Sequence, residues 1–545
     1  MKHLCEEKRE RAVLFVCALI QAVIYIATFS RIPASDGFRY VSDIDKRNWD
    51  FMLLPNHFSP QAVMIFVQKT LSIISIRIPT LTFMQWFNVG LAIWCFVLFY
   101  KIVRTLNISQ FLSLVSALTF AYSYGLWHFA NGEIHHLGVL ATLAICYLLR
   151  CFQMAPTRSL VVWIAILHVA AMTFHESHVL MGAPIVWILV AHPSIRSTKS
   201  YLLTYLIICG ILTVCVFGAL AYFYYGVRSV HDFFAWLFVY HSQTKGYILL
   251  QKQNLPWIRL LKGAFMSFDY GTQILVDSSR HLIGELKLST YLYLMLTTAN
   301  LALYGVAVLI LGLSFEQIPK DIRVFAGGLV IWILTYKLLL NFRFAPESPE
   351  YHLSSLAPML LLIPISLSRL RKTVVAGVLV VSIFLTMFSV NLFAGILPQF
   401  HYGKMIDQFE KFSSSYFKPN DFFVSSESGL DFLIESRWDH RALKDIFLKT
   451  PKEKSFPMIA AEIQKAFKDG KRVFVYNLVP GGYAVRGISH YNPDGHYTDE
   501  DFQNFERDLF GKYHAKPIYK YWESDSSQYY LFDNLKNTVW QLNKE

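Results

Sequence analysis

The sequence is poor in charge and in cysteine. Only 16% of its 545 residues are charged, well below the quarter that is usual in soluble proteins, whereas 54% are hydrophobic. Nearly all of the seven cysteines lie in or beside apolar runs, and the last is Cys215, so the sequence predicts neither a disulfide framework nor a zinc knuckle. A phosphate-binding glycine loop is also lacking, since Pro480-Gly481-Gly482 is only a turn signal. This composition is typical of a membrane protein.

Long apolar runs recur along the first 397 residues. They predict about eleven transmembrane helices, because each is long enough to cross roughly 30 Å of hydrocarbon. The runs lie near 13–30, 81–100, 108–124, 135–152, 159–174, 178–192, 201–224, 289–313, 324–340, 353–368 and 373–395. The net charge of +12 does not indicate a nucleic-acid partner, because the basic residues punctuate these runs instead of lining one face.

The basic residues fall on alternate loops, which predicts the topology. Loops rich in Lys and Arg face the cytoplasm, so we expect the N-terminus inside and residues 31–80, 225–288 and the tail outside. The first apolar run has no small-residue cleavage site before Arg31, which favours a retained helix. The sequence therefore predicts an all-α transmembrane domain over residues 1–397 and an extracytoplasmic domain over 398–545.

The tail reads as a small soluble α/β domain. Short β-like runs lie at 421–424, 472–476 and 528–532. Helix-like stretches lie between them, at 429–448, 457–469 and 499–512.

Candidate catalytic residues lie in the segments predicted to face outward. The first outer loop carries several carboxylates, Asp36 among them, and His57 follows. A carboxylate there suits a general base at the membrane surface, although each aspartate taken alone also suits a solvated loop that offsets nearby cations.

Two polar turns join apolar runs on the same predicted side. One carries Glu133, and the other carries His175 and Glu176. Ionisable groups at membrane depth favour a functional role, while wet turns at headgroup level are the plain alternative. Their histidines and glutamates also suit zinc, but His175-Glu176-Ser177-His178 does not match the helical His-Glu-x-x-His pattern.

A pair of cations lies near the predicted outer end of the ninth run. Lys337 is set among apolar residues, and Arg343 follows one or two turns later. Such cations suit the phosphate of a lipid carrier, and a lysine there is equally able to extend to the interface.

Four motifs in order resemble the GT-C superfamily of membrane glycosyltransferases, most closely its protein O-mannosyltransferase-like branch with the DUF2723 and transmembrane protein 260-like proteins. The motifs are Ser35-Asp36-Gly37 with His57-Phe58-Ser59-Pro60, the segment Ser123 to Leu148 with Trp127, Glu133 and a long apolar run, Thr173 to His178, and Pro349-Glu350-Tyr351-His352-Leu353. The chain departs from the family pattern at Gly37, at Ile134-His135 and at Ser354.

The resemblance implies inverting sugar transfer from a polyprenyl-phosphate sugar to a protein or glycan acceptor at the outer face. Asp36 matches the family's catalytic base. Lys337 or Arg343 would hold the departing phosphate, and His57, Glu133, His175, Glu176 and Tyr351 would contact sugar or acceptor. No cofactor is firmly implied, and a divalent cation is an open expectation.

Two other function classes remain open. A transporter or lipid flippase is the main alternative, although the sequence shows no convincing internal repeat and little charge in the middle of its spans. A non-catalytic scaffold is the other, although eleven spans exceed what an anchor needs. The only glycosylation sequon, Asn107-Ile108-Ser109, lies on the predicted cytoplasmic side. This favours a bacterial inner membrane, with the C-terminal domain periplasmic, over the endoplasmic reticulum.

Overall fold

The protein is described here from a computed structural model. Its described residues are 2–30, 37–47, 49–53, 59–191, 198–237, 256–278, 288–340, 349–370, 373–425, 439–442, 452–476, 499–520 and 538–543. Contacts within the chain divide it into two compact units. The first ends at Leu397, and the second consists mainly of Pro398–Glu545.

The first unit is built from α-helices. They are α1 (Lys2–Ala27), α2 (Gly37–Lys46), α3 (Trp49–Met52), α4 (Ser59–Ile73), α5 (Thr80–Thr105), α6 (Gln110–Ala121), α7 (Tyr124–Phe129), α8 (His136–Met154), α9 (Arg158–Phe174), α10 (Gly182–Ala191), α11 (Thr198–Thr213), α12 (Val230–Leu237), α13 (Pro256–Met266), α14 (Gly271–Ser278), α15 (Leu288–Ser314), α16 (Lys320–Leu340), α17 (Leu353–Leu367) and α18 (Thr373–Val390). Three 3-10 segments (Glu176–Met181, Phe315–Gln317, Pro349–His352) and three π-helical segments (Val214–Gly218, Leu220–Tyr224, Asn391–Ile396) lie between or beyond them.

Helical structure occurs in every one of the eleven apolar stretches predicted from the sequence. Within the described residues, six helices are long and apolar enough to cross a membrane by length and composition. Four further apolar helices, α6, α9, α17 and the segment Glu176–Ala191, are shorter, so the count of eleven spans is not confirmed. Large apolar side chains such as Phe223 and Leu313 are 83% and 77% exposed, as lipid contact requires. The chain is an integral membrane protein.

Ion pairs join several helix ends that lie beside loops rich in Lys and Arg. Arg104 on α5 pairs with Glu10 on α1 at 3.1 Å. Arg150 on α8 pairs with Asp321 on α16 at 3.3 Å and donates to the Thr105 carbonyl at 3.2 Å. These contacts group loops that the charge pattern predicts on one side. That this side is cytoplasmic stays a prediction.

The second unit contains a five-stranded sheet. Its strands are β1 (Phe422–Ser425), β2 (Asp439–Ala442), β3 (Val473–Tyr476), β4 (Lys516–Lys520) and β5 (Thr538–Leu542), in the order β2-β1-β3-β5-β4. β1 pairs in parallel with β2 and β3, and β5 pairs antiparallel with β3 and β4. Its helices are α19 (Leu397–Tyr416), α20 (Lys452–Lys468) and α21 (Asp499–Tyr513).

Alternating side chains of this sheet form two apolar layers. Val473 and Val475 on β3 face a cluster that includes Ile463 of α20 and Phe502 of α21. The intervening Phe474 faces the other side, where a second cluster includes Phe409 of α19 and Phe417 just beyond it. Because side chains alternate along a strand, four-residue strands are sufficient to join both layers.

The sequence predictions for the tail succeed in part. The predicted helices 457–469 and 499–512 are confirmed as α20 and α21, and strands lie at β1 and β3 as predicted. The predicted helix 429–448 is wrong at Asp439–Ala442, which pairs with β1. That strand lacks β-branched residues, so its conformation comes from tertiary pairing rather than local propensity. The predicted strand 528–532 lies outside the described residues.

An ion pair between Arg472 and Asp421 lies beside the core of the second unit. Asp421, nearly buried, accepts from Arg472 Nε at 2.8 Å and from its Nη2 at 2.5 Å. We expect Arg472→Met to destabilise this unit by about 2 kcal/mol, because it leaves a buried carboxylate without its cation.

Pulse proteolysis of the full-length protein in a denaturant series, read on fragments of residues 398–545, measures this change. The exposed Lys468→Met is the matched control, expected to shift stability by less than about 0.5 kcal/mol. Equal stability of the two variants would contradict a structural role for the pair.

Candidate active site

The turn between α7 and α8 places a buried carboxylate at the end of the bundle. Glu133 is fully buried, and the chain reaches it through Gly132, whose φ of 106° suits only glycine. Helix α5 fixes the turn, since Asn88 Nδ2 donates to the Glu133 carbonyl at 2.6 Å. Nearby, Gln85 Nε2 donates to Asn131 Oδ1 at 2.9 Å. The carboxylate is therefore held on a rigid backbone.

Two histidines lie between Glu133 and the rest of the second polar turn. His135 Nε2 lies 3.7 Å from Glu133 Oε2, an ion pair when the imidazole is protonated. The His135 and His175 rings have centroids 6.1 Å apart. The turn that carries Glu133 and the turn that carries His175 thus meet in space, as their common predicted side requires.

The second turn holds His175 in a fixed orientation. Its Nδ1 accepts from the backbone N–H of Ser177 at 3.2 Å and caps the 3-10 segment Glu176–Met181. The Ser177 hydroxyl lies 2.7 Å from the same nitrogen and 3.2 Å from the Tyr336 hydroxyl on α16. A neutral His175 therefore carries its proton on Nε2. Glu176 is partly buried in the first turn of the segment.

Close packing against α8 positions His178. A Cβ on Gly138 would lie only 2.5 Å from His178 Nε2, so glycine is required for the approach. The same nitrogen lies 3.5 Å from Ser354 Oγ on α17. The His178 carbonyl accepts from His168 Nε2 at 2.9 Å, and His168 Nδ1 lies 2.7 Å from the Tyr205 hydroxyl. The His178 ring thus packs against α8 and lies beside α17, and its backbone carbonyl is bonded to α9.

Lys337 on α16 points into the bundle. Its ammonium contacts His352 Nδ1 and donates to Ser355 Oγ at 3.0 Å. His352 is fully buried, and its carbonyl accepts from Ser355 Oγ at 3.0 Å. Among the described residues no carboxylate pairs with Lys337. The ammonium is therefore bonded to neutral groups of its own chain.

A small recess lies among these side chains. It is lined by His135, Gly138, Phe174, His175, His178, Tyr336, Leu353 and Ser354. Lys337 follows Tyr336 in the chain, and its partners His352 and Ser355 flank Leu353 and Ser354. Glu133 and Lys337 do not line the recess themselves, but each is joined to it through a neighbour, Glu133 through His135 and Lys337 through Tyr336.

The structure brings the Glu133 and His175 turns together through His135, and Lys337 directly follows Tyr336, whose hydroxyl contacts Ser177 of the second turn. Tyr351 lies in the 3-10 segment Pro349–His352, directly before His352. Asp36, His57 and Arg343 lie outside the described residues.

Sequence reasoning did not single out Tyr336, His352 or Ser354 as members of the site. Tyr336 and His352 are chain neighbours of Lys337 and Tyr351, whereas Ser354 is marked in the sequence only as a departure from the family pattern. Over the described ranges, no three His, Cys, Asp or Glu side chains converge as metal ligands would.

Comparison with known proteins gives fold-level likenesses alone. No protein-family model matches the chain, and no curated protein matches it in sequence. The chain is similar to ArnT from Cupriavidus metallidurans bound to undecaprenyl phosphate, with a TM-score of 0.49 and 10% identity over 87% of this chain and 94% of that one. It is similar to the Archaeoglobus fulgidus oligosaccharyltransferase in complex with Zn and sulfate, with a TM-score of 0.48 and 10% identity over 89% and 70%.

The arabinofuranosyltransferase AftD from Mycobacteria is a third similar structure. Its TM-score is 0.47 and its identity 11%, over 98% of this chain and 40% of AftD, so the chain spans less than half of that protein. All three TM-scores lie below 0.5, and these likenesses do not decide what the chain does.

The Gly138–His178 approach gives a direct test of the site's packing. We expect Gly138→Ala to destabilise the protein by about 1–3 kcal/mol, because the new methyl group displaces the His178 ring from Ser354. Gly305→Ala on α15 is the matched control, since a Cβ on that glycine would meet nothing within 4 Å. It should stabilise by about 0.5–1 kcal/mol through helix propensity.

Thermal unfolding of both variants in the same detergent measures the difference. A Gly138→Ala protein as stable as Gly305→Ala would show that the His178 ring is not held where the structure places it.

Proposed function

We propose that the protein is an inverting glycosyltransferase of the GT-C type that uses a polyprenyl-phosphate-linked sugar as donor. The observation that carries the proposal is the Lys337 ammonium, which is held inside the bundle by His352 and Ser355. Within the described part of the chain it pairs with no carboxylate. A cation partly withdrawn from water without an anion is costly, and a ligand that supplies the negative charge lowers the cost.

A lipid phosphate suits this position. Lysine binds phosphate as a point charge, and Ser355 holds the ammonium in place by accepting a hydrogen bond from it. The carrier's isoprenoid chain is apolar and is compatible with the lipid-facing surface of the helices. In the proposal Arg343 gives a second cation to the same phosphate, and Tyr351 contacts the donor.

The reaction is a single displacement at the anomeric carbon. The acceptor oxygen attacks that carbon while the bond to the phosphate oxygen breaks, and the acceptor's proton passes to Asp36 as general base. Lys337 stabilises the charge that develops on the departing phosphate. His57, Glu133, His175 and Glu176 orient sugar or acceptor, the last three from the turns beside the recess.

The proposed setting follows from the charge pattern. The reaction takes place at the outer face of a bacterial inner membrane, with residues 398–545 in the periplasm and a protein or glycan as acceptor. The protein O-mannosyltransferase-like branch is the proposed relationship. A bound divalent cation is compatible with this scheme and is tested by chelation.

Removing the ammonium tests phosphate binding. We expect Lys337→Met to lower transfer at least 100-fold, equivalent to about 2.7 kcal/mol of lost transition-state stabilisation, because the leaving phosphate loses its cation. Lys320→Met, an exposed lysine at the opposite end of the same helix, is the matched control and should retain activity. The measurement is sugar transfer from radiolabelled polyprenyl-phosphate sugars by protein in lipid bilayers. Equal activity of the two variants would remove Lys337 from the mechanism.

Replacing the proposed base tests the chemistry separately. We expect Asp36→Asn to lower transfer or donor hydrolysis by about 100-fold or more while donor binding persists, since only proton abstraction is lost. The same panel with added chelator reports whether a divalent cation is needed. An Asp36→Asn protein with full activity would exclude Asp36 as base, and substrate flux without sugar transfer would favour the transporter or flippase class.

A further inference from the structure

A second charged residue is buried away from the recess. Asp269 lies between α13 and α14 and is fully buried. Its Oδ2 accepts from Asn300 Nδ2 on α15 at 2.7 Å, and its Oδ1 accepts from the Gly271 N–H at 2.9 Å. Both partners are electrically neutral. Among the described residues no lysine, arginine or histidine pairs with Asp269.

The backbone around Asp269 is tied to the bundle, so the carboxylate cannot easily turn towards water. Asn391 accepts from the Tyr270 N–H at 2.8 Å and donates to the carbonyls of Phe268 and Tyr122, each at 3.0 Å. Gly125 N–H donates to the Ser267 carbonyl at 2.7 Å. These bonds fix residues 267–270 against the helices on both sides.

Three further oxygens beside Asp269 are buried and, within the described part of the chain, lack a hydrogen-bond partner. They are Asn300 Oδ1, Thr297 Oγ1 and Thr272 Oγ1. Thr297 and Asn300 share one face of α15, three residues apart, and Thr272 follows Gly271. Thr297 Oγ1 fills the space that a side chain on residue 271 would need, because a Cβ there would lie 1.7 Å from it. The four residues therefore form one oxygen-lined cluster.

We propose that this cluster binds a monovalent metal cation, with Asp269, Asn300, Thr297 and Thr272 as oxygen ligands. Hard cations take carboxylate, amide and hydroxyl oxygens. One carboxylate balances one positive charge, whereas a divalent ion would leave a net charge in a buried site. A water molecule would satisfy the free oxygens but would leave the carboxylate uncompensated. Burial raises the pKa of Asp269 to about 6, which shows the cost of ionising it without a counter-ion.

The proposal is tested by thermal unfolding of the purified protein at a pH well above that pKa, in sodium, potassium, lithium or choline chloride at constant ionic strength. We expect one alkali cation to raise the unfolding temperature by roughly 3 °C or more over choline, and the rise to saturate with concentration, because the ion binds the folded state alone. Equal unfolding temperatures in all four salts would overturn the proposal.

Three variants separate ion binding from general destabilisation. Asp269→Asn should lose the cation dependence and, in choline, unfold no lower than the wild type, because the uncompensated charge is gone. Thr297→Val keeps the side-chain shape and removes one ligand, so about tenfold more cation should be needed for half of the effect. Asp232→Asn removes an exposed carboxylate and should leave the dependence unchanged. Full cation dependence in Asp269→Asn, or an unchanged requirement in Thr297→Val, would contradict the assignment.

Discussion

The free-energy cost of burying charge determines how the two ends of this bundle are built. At the end where basic loops meet, buried or half-buried cations face carboxylates, with Arg150 on Asp321 and Arg104 on Glu10. An apolar helix bundle stabilises such charges only when their partners are present. At the other end, two charged side chains have no charged partner among the described residues. There Lys337 is bonded to a histidine and a serine, and Asp269 to an asparagine amide and a backbone N–H.

The backbone around the recess is held rigidly by contacts from several helices. Asn88 fixes the Glu133 turn, Gly138 permits the approach of His178, and the His175 side chain caps its own 3-10 segment. Functional constellations need side chains whose orientation is set before a ligand arrives. Polar groups merely tolerated at headgroup level would not need contacts from α5, α8, α9, α16 and α17 at once. The arrangement therefore favours a binding site over a pair of wet turns.

Sequence patterns predicted the helices well because hydrocarbon thickness fixes the length of an apolar run, and helical structure appears in each run. They also grouped the Glu133 and His175 turns, because loop charge predicts sidedness. Contacts between residues far apart in the sequence could not be predicted in the same way. The strand Asp439–Ala442 depends on a neighbour 17 residues earlier, and the bond between Asp269 and Asn300 joins residues that share no local motif. A lone aspartate in a long loop looks solvated until its tertiary partners are known.

Lys337 and Asp269 each lack a charged partner among the described residues, and their surroundings differ. Their surroundings adjoin at Gly125, since a Cβ on Gly125 would lie 2.6 Å from Leu353 Cδ2 and 3.0 Å from the Ser267 carbonyl. Lys337 is partly buried and directly follows Tyr336, which lines the recess. Asp269 is enclosed by its own loop, α15 and Asn391. We therefore expect the proposed cation to exchange only when residues 267–270 move, and to act on the stability of this part of the bundle.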